Sequence, residues 1–169
     1  MHQLAETATV LRSLRGVWDE EAVDELDHAL QSAARAVDDG ADDELVLAAA
    51  LHDVAHSPLL GPSTAHDAAA RKWLRPRFGE RVAWLAGAHV AAKRYLTATE
   101  PGYAAALSET SVASLQAQGG AGVDAAWTEH PWWPDALRLR RYDDAAKDPA
   151  ARGLTVAQVL SIAERVAAR

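Results

Sequence analysis

Seven consecutive apolar residues, Leu45-Val46-Leu47-Ala48-Ala49-Ala50-Leu51, run straight into His52-Asp53. A helix that is apolar on every face has no side to offer to water, so it belongs in the middle of a bundle. Asp42-Asp43-Glu44 in front of it put negative charge at the positive end of that helix, which is read over residues 41–55. The remainder uses the same vocabulary. Alanine, leucine, arginine and glutamate dominate and runs of alternating β-branched residues are absent, so helix is the expectation nearly everywhere. Periodicity and breakers give further helices over 19–37, 64–74, 80–96, 108–118, 135–147 and 155–168. They are separated by Asp38-Asp39-Gly40, a Pro/Gly loop over 57–63, Pro101-Gly102, Gly119-Gly120 and the turn His130-Pro131-Trp132-Trp133-Pro134. The expected fold is all-α, a helical bundle in one domain over 1–169, a length that suits a single core.

An ionisable pair at the end of a buried helix is costly unless something neutralises it, and a metal cation does so directly. For the His52-Asp53 dipeptide alone, a capped helix end with a solvated pair explains the sequence equally well. The other histidines shift the balance. The chain has seven, and no cysteine, which excludes disulfides, thiolate metal sites, iron–sulfur clusters and a thiol nucleophile. Any bound metal must sit on imidazole nitrogen and carboxylate oxygen. His28 precedes the dipeptide on an earlier helix, His66 follows the Pro/Gly loop, His89 lies on the next helix and Asp143 comes late. The order H…HD…H…H…D matches the HD superfamily in its two-metal form. Six ligands and a shared bridging oxygen would hold two ions ~3.5–4 Å apart. The donor set suits iron, manganese or zinc without choosing between them. His2, near the terminus, and His130, before a turn, fall outside this pattern and are read as surface residues.

Helical spacing supplies each ligand with neighbours. Lys93 is four residues after His89, Arg140 three before Asp143, and His56 four after His52. Together they would make a cationic, hydrogen-bonding cradle for phosphate or phosphonate. The bland alternatives are a solvated face for Lys93 and an i,i+4 pair with Asp144 for Arg140. On the first long helix, Trp18, Glu21, Glu25 and His28 fall in one stripe of about 80°. An acid at Glu21 would suit a substrate ammonium group, or would be an ordinary glutamate at a helix N-terminus.

The segments containing His28, Gly40-Ala41-Asp42-Asp43-Glu44-Leu45, Leu51-His52-Asp53-Val54-Ala55-His56, His89-Val90-Ala91-Ala92-Lys93-Arg94-Tyr95-Leu96, the Ser111–Gly120 stretch with its SxxSLxxQGG pattern, and Leu139–Lys147 resemble the phosphonate-degrading HD-domain oxygenases of the PhnZ type, relatives of myo-inositol oxygenase. The likeness runs from about Trp18 to Lys147. It implies a mixed-valent Fe(II)/Fe(III) pair that uses O2 to cleave the C–P bond of a small 1-hydroxyphosphonate, giving phosphate and a carboxylic acid. 2-Amino-1-hydroxyethylphosphonate or an N-methylated analogue would be such a substrate. Carried over residue by residue, His28, His52, Asp53, His66, His89 and Asp143 would be the metal ligands, with Asp53 bridging. Asp53 and His56 would be the catalytic residues. Lys93, Ser111, Arg140 and His56 would hold the phosphonate, and Glu21 the amine. Two departures stand out. Relatives commonly carry a tyrosine where this chain has Trp18, and an indole cannot ligate iron. Its face would instead suit a substrate cation through cation–π attraction. The loop between His56 and His66 is also shorter than in relatives.

The formal charge of −7 argues against a nucleic-acid partner. Neither a signal-peptide core nor a membrane-length apolar run is present, so a cytoplasmic protein is expected, acting on a small molecule rather than at a membrane. Two rival functions use the same ligands. One is an HD phosphohydrolase acting on a small phosphate ester or nucleotide. The other is a non-catalytic HD-like sensor, which would be expected to have lost ligands.

Overall fold

A computed structural model describes residues 2–19 and 22–169. Those residues form helices and turns, with no strand among them. The helices are α1 (His2–Arg12), α2 (Glu25–Asp38), α3 (Asp43–Leu51), α4 (His66–Gly87), α5 (His89–Thr99), α6 (Glu109–Ala117), the short α7 (Ala125–Thr128), α8 (Trp133–Ala145) and α9 (Val156–Ala167). Short 3-10 turns over Val54–His56 and Pro58–Leu60 join α3 to α4. The chain is thus the all-α bundle its composition predicts. No helix among the described residues is long and apolar enough to cross a membrane.

The apolar run sits where its composition requires. Every residue from Leu45 to Leu51 is buried, and α3 packs against α2, α4, α8 and α9. Asp42 caps its start by accepting the Leu45 N–H at 2.9 Å, which satisfies one of the free donors of the first turn. The helix ends at Leu51, earlier than residue 55, and this early end turns His52 and Asp53 into the core.

α2 also departs from expectation. The helix read over 19–37 starts only at Glu25, because Asp24 caps it, accepting the Asp27 N–H at 2.9 Å. Asp24 also accepts from the Gly16 N–H at 2.9 Å, and Gly16 turns the chain in the left-handed region at φ +78°. Residues 17–19 therefore belong to a loop, so Trp18, two-thirds exposed, does not share a helix face with Glu25 and His28. Glu21 lies outside the described residues.

Elsewhere the boundaries shift by smaller amounts. The helix read over 64–74 runs on to Phe78, and Gly79, with φ +86° and ψ 176°, breaks the chain there, so the second helical stretch of α4, ending at Gly87, starts at the boundary read at residue 80. A second break at Ala88 starts α5 at His89, inside the stretch read as one helix over 80–96. α8 begins at Trp133, with Pro134 in the first turn, where a missing N–H costs nothing. α1 was not marked by the periodicity, yet it buries Thr7, Ala8, Val10 and Leu11. His130 is half-buried, its ring stacked on Trp84 with centroids 4.1 Å apart, while His2 is exposed as expected.

The segment before α9 is laid directly on α2, with the Leu154 N–H donating to the Leu30 carbonyl at 3.0 Å. A Cβ at Gly153 would lie 2.6 Å from the Leu30 carbonyl carbon and 2.8 Å from the Gln31 nitrogen. Backbone cannot yield as a side chain can. Gly153→Ala is therefore expected to cost about 1–3 kcal/mol by overpacking, read as a lowered denaturation midpoint in urea with unchanged m-value. An unchanged midpoint would show that the 152–154 segment moves away freely.

Candidate metal centre

Five elements bring the acid and imidazole groups to one buried point. His28 lies one turn into α2, and His52-Asp53 close α3. His66 and His89 are the first residues of α4 and α5, and Asp143 is in the last turn of α8. Asp53 sits between two sets of donors. Its Oδ2 is 3.1 Å from His52 Nε2 and 3.5 Å from His28 Nε2, while its Oδ1 is 3.4 Å from His89 Nε2 and 3.5 Å from His66 Nε2. Asp143 completes the first set, with one oxygen 3.2 Å from His28 Nε2 and the other 3.4 Å from His52 Nε2. His28, His52, Asp53 and Asp143 form one group able to hold a metal ion, and Asp53, His66 and His89 form another.

The rings are aimed by the backbone. Nδ1 of His28 faces the Ala146 carbonyl at 2.9 Å, that of His52 the Ala49 carbonyl at 2.8 Å and that of His89 the Ala86 carbonyl at 2.5 Å. A carbonyl accepts but cannot donate, so each Nδ1 carries the hydrogen and each Nε2 presents its lone pair inward. His28 Nε2 and His52 Nε2 are then 3.3 Å apart, and His66 Nε2 and His89 Nε2 2.9 Å apart. At that range two lone pairs repel unless a proton or a metal cation lies between them. At metal–ligand bonds of ~2.1 Å, ligands at right angles around one ion lie about 3 Å apart. The spacing and the donor chemistry both fit two ions sharing Asp53.

Electrostatics agree. Burial alone would push the His52 imidazole down, but Asp53 and Asp143 beside it carry it up to about 10. The same carboxylates hold His28 well above its ordinary range against burial. A pocket that holds protons so tightly is strongly negative, and metal ions take the place of those protons. His66 goes the other way, down to about 4, because burial and the neighbouring His89 and His56 outweigh the Asp53 charge.

Beside the two groups is a narrow cleft whose walls include His56, Lys93, Ser111, Ser114, Gln118 and Arg140. Lys93 is buried, and its ammonium donates to Ser114 Oγ at 2.8 Å. Burial and the nearby Arg140 guanidinium lower its pKa to about 8. Ser111 receives Lys147 Nζ at 3.0 Å. Arg140 is buried and serves two purposes. One nitrogen lies 2.7 Å from Asp143 Oδ2, and the others donate to Asp144 and to the Tyr103 hydroxyl, the latter at 3.1 Å. The i,i+4 pair with Asp144 and the place beside the metal ligands thus hold together. His56 Nε2 is 3.7 Å from Asp53 Oδ1 and 3.5 Å from Asp19 Oδ2.

Three cleft residues, Asp19, Ser114 and Gln118, escaped the sequence reading, as did Lys147, which reaches Ser111. Ser114 and Gln118 stand three and seven residues after Ser111, a helical spacing that puts them on its face of α6. Only the Ser111–Gly120 pattern hinted at them. Lys147 lies beyond the end of α8 and carries no local signal.

No protein-family model matches the chain. It is 36% identical over 140 residues to the hydroxymethylphosphonate dioxygenase of Gimesia maris, an alignment covering 76% of this chain and 70% of that protein. It is 34% identical over 138 residues to the [1-hydroxy-2-(trimethylamino)ethyl]phosphonate dioxygenase (glycine-betaine-forming) of Leisingera caerulea, covering 75% of this chain and 70% of that one.

Proposed function

Because the chain belongs to the PhnZ-like family of phosphonate dioxygenases, we propose that it cleaves the C–P bond of a small 1-hydroxyphosphonate with O2, at a mixed-valent Fe(II)/Fe(III) pair. The observation that carries this reading is the placement of Asp53, one oxygen toward each histidine set, beside a cleft walled by cations. Its ligands would be His28, His52, Asp53 and Asp143 for one iron, and Asp53, His66 and His89 for the other. When bound, the pair supplies Lewis acidity and the redox partner for O2. The reaction balances with one O2. R–CH(OH)–PO3H2 and O2 give R–COOH and H3PO4, so the substrate supplies all the electrons and no reductant is needed.

The protein's own groups divide the remaining work. Asp53 and His56 are the catalytic residues in this reading: Asp53 would serve both ions, and His56, its Nε2 3.7 Å from Asp53 Oδ1, would stand beside the reacting end. Lys93, Ser111 and Arg140 take the phosphonate oxygens. Arg140 supplies a planar fork, and Lys93 a point charge that burial makes available for a dianion rather than for water. Ser114 and Gln118 extend that wall. Glu21 would receive a substrate amine and Trp18 would face a methylated ammonium, two contacts that rest on the family likeness.

The test uses anaerobically purified, iron-loaded protein with hydroxymethylphosphonate and, separately, with the trimethylammonium substrate. The expected result is phosphate release that stops without O2 and consumes one O2 per phosphate. Phosphate released at the same rate under argon overturns the oxygenase and leaves a hydrolase built on the same ligands.

A further inference from the structure

Glu25 is a buried charged residue that the proposed reaction leaves unused. It is 1% exposed, it sits one turn before His28, and neither carboxylate oxygen has a hydrogen-bond partner among the described residues. Burial and the charge on Asp53 push its carboxyl up to about 9. Protonation removes the charge yet leaves an O–H with nothing to donate to, so a neutral acid does not resolve the cost of burying it.

Its surroundings offer another resolution. The Glu25 carboxylate, the Asp19 carboxylate and a ring nitrogen of His56 all lie within 4.8 Å of one another. His56 Nε2 is 3.5 Å from Asp19 Oδ2. We propose that Asp19, Glu25 and His56 form a third cation site beside the dinuclear centre, taking a first-row divalent metal ion. Two carboxylate oxygens and one imidazole nitrogen suit manganese, iron or zinc, and three protein donors leave positions open for water or substrate oxygen. An ion there neutralises Glu25 without stripping its buried oxygens of partners, and His56 would then meet the substrate through the open positions of that ion rather than directly. It also ties three segments together: the loop after Gly16, the first turn of α2, and the turn after Asp53.

This inference does not depend on the substrate or on O2. Metal-free protein is saturated with Mn2+ alone and freed of excess, and bound metal is counted per chain for wild type, Glu25→Gln and Asp19→Asn. Asp19 is half-exposed, so its variant leaves the core untouched. Each variant is expected to hold one ion fewer than wild type, three falling to two. Equal counts overturn the site, and so does a variant that loses more than one ion, because the acid then serves the Asp53 pair. Equal counts with selectively weakened binding of the trimethylammonium phosphonate, against hydroxymethylphosphonate, also overturn it and make the acids an organic-cation contact. The test reads the difference. Two ions in wild type and one in each variant would uphold this site while faulting the pair at Asp53.

Discussion

Asp53→Asn is expected to leave a chain that cannot hold two ions together and that releases no phosphate. The carboxylate sends one oxygen to each histidine set, 3.1 Å from His52 Nε2 on one side and 3.4 Å from His89 Nε2 on the other. A carboxamide has the same shape but only one oxygen. Whichever way it turns, its NH2 faces one of the two sets and offers hydrogens where a ligand oxygen is needed. Loss of a group that merely orients a metal ligand costs 10–100-fold in metal affinity. Removal of the shared ligand should therefore weaken the second ion by more than ~100-fold. Metal counting after dialysis against a weak chelator measures this, with Asp53→Glu as the control that keeps both oxygens. Two ions retained by the asparagine variant at wild-type affinity would refute the bridging role.

Arg140→Ala should damage stability and phosphonate binding together. The guanidinium is 3% exposed and pairs with Asp143 at 2.7 Å, with Asp144, and with the Tyr103 hydroxyl, which itself donates to Asp144 at 2.6 Å. Removing one partner of a buried pair strands the other, at a cost of about 3–5 kcal/mol. For a chain of this size that is a fall in melting temperature of roughly 6–20 °C. The loss should be larger in metal-free protein, because a bound cation also neutralises Asp143. Arg140→Lys keeps the charge but not the fork, and should recover stability better than phosphonate affinity. Equal melting temperatures for metal-free wild type and Arg140→Ala would show that Asp143 does not need this partner. Lys93→Ala touches the anion wall without pairing a metal ligand, and is the cleaner probe of substrate binding alone.

What could be read in advance was whatever rests on residue identity. The run Leu45–Leu51 announces a central helix, and with only seven histidines in the chain, four of them in a fixed order with the His52-Asp53 pair and a late aspartate pick themselves out. What could not be read depends on where helices stop. Gly87 stands beside the break that makes His89 the first residue of α5, but a lone glycine inside a helical pattern marks a boundary only weakly. The periodicity through Trp18, Glu21, Glu25 and His28 is real as a pattern. Asp24 and Gly16 compete for the same backbone and win, because a cap and a left-handed turn satisfy N–H groups that a longer helix would also need to place. The isolation of Glu25 is likewise invisible in one dimension. A glutamate near a helix N-terminus is ordinary, and only the packing of the loop and the turn around it removes the water that would make it so.

The histidine rings held by Ala49, Ala86 and Ala146 have a consequence for how such a catalyst can diverge. Main-chain carbonyls belong to every residue type, so substitutions at those three alanines leave the acceptors in place. The aim of the imidazoles is thus insulated from the loss of any one side chain, within the limit that these buried alanines leave room only for residues of about their own size. The opposite wall, built from the side chains of Lys93, Ser111, Ser114 and Gln118, has no such insulation, because each contact there disappears with its residue. Novelty in what is recognised can accumulate on one side of the cleft while the redox side stays mechanically unchanged.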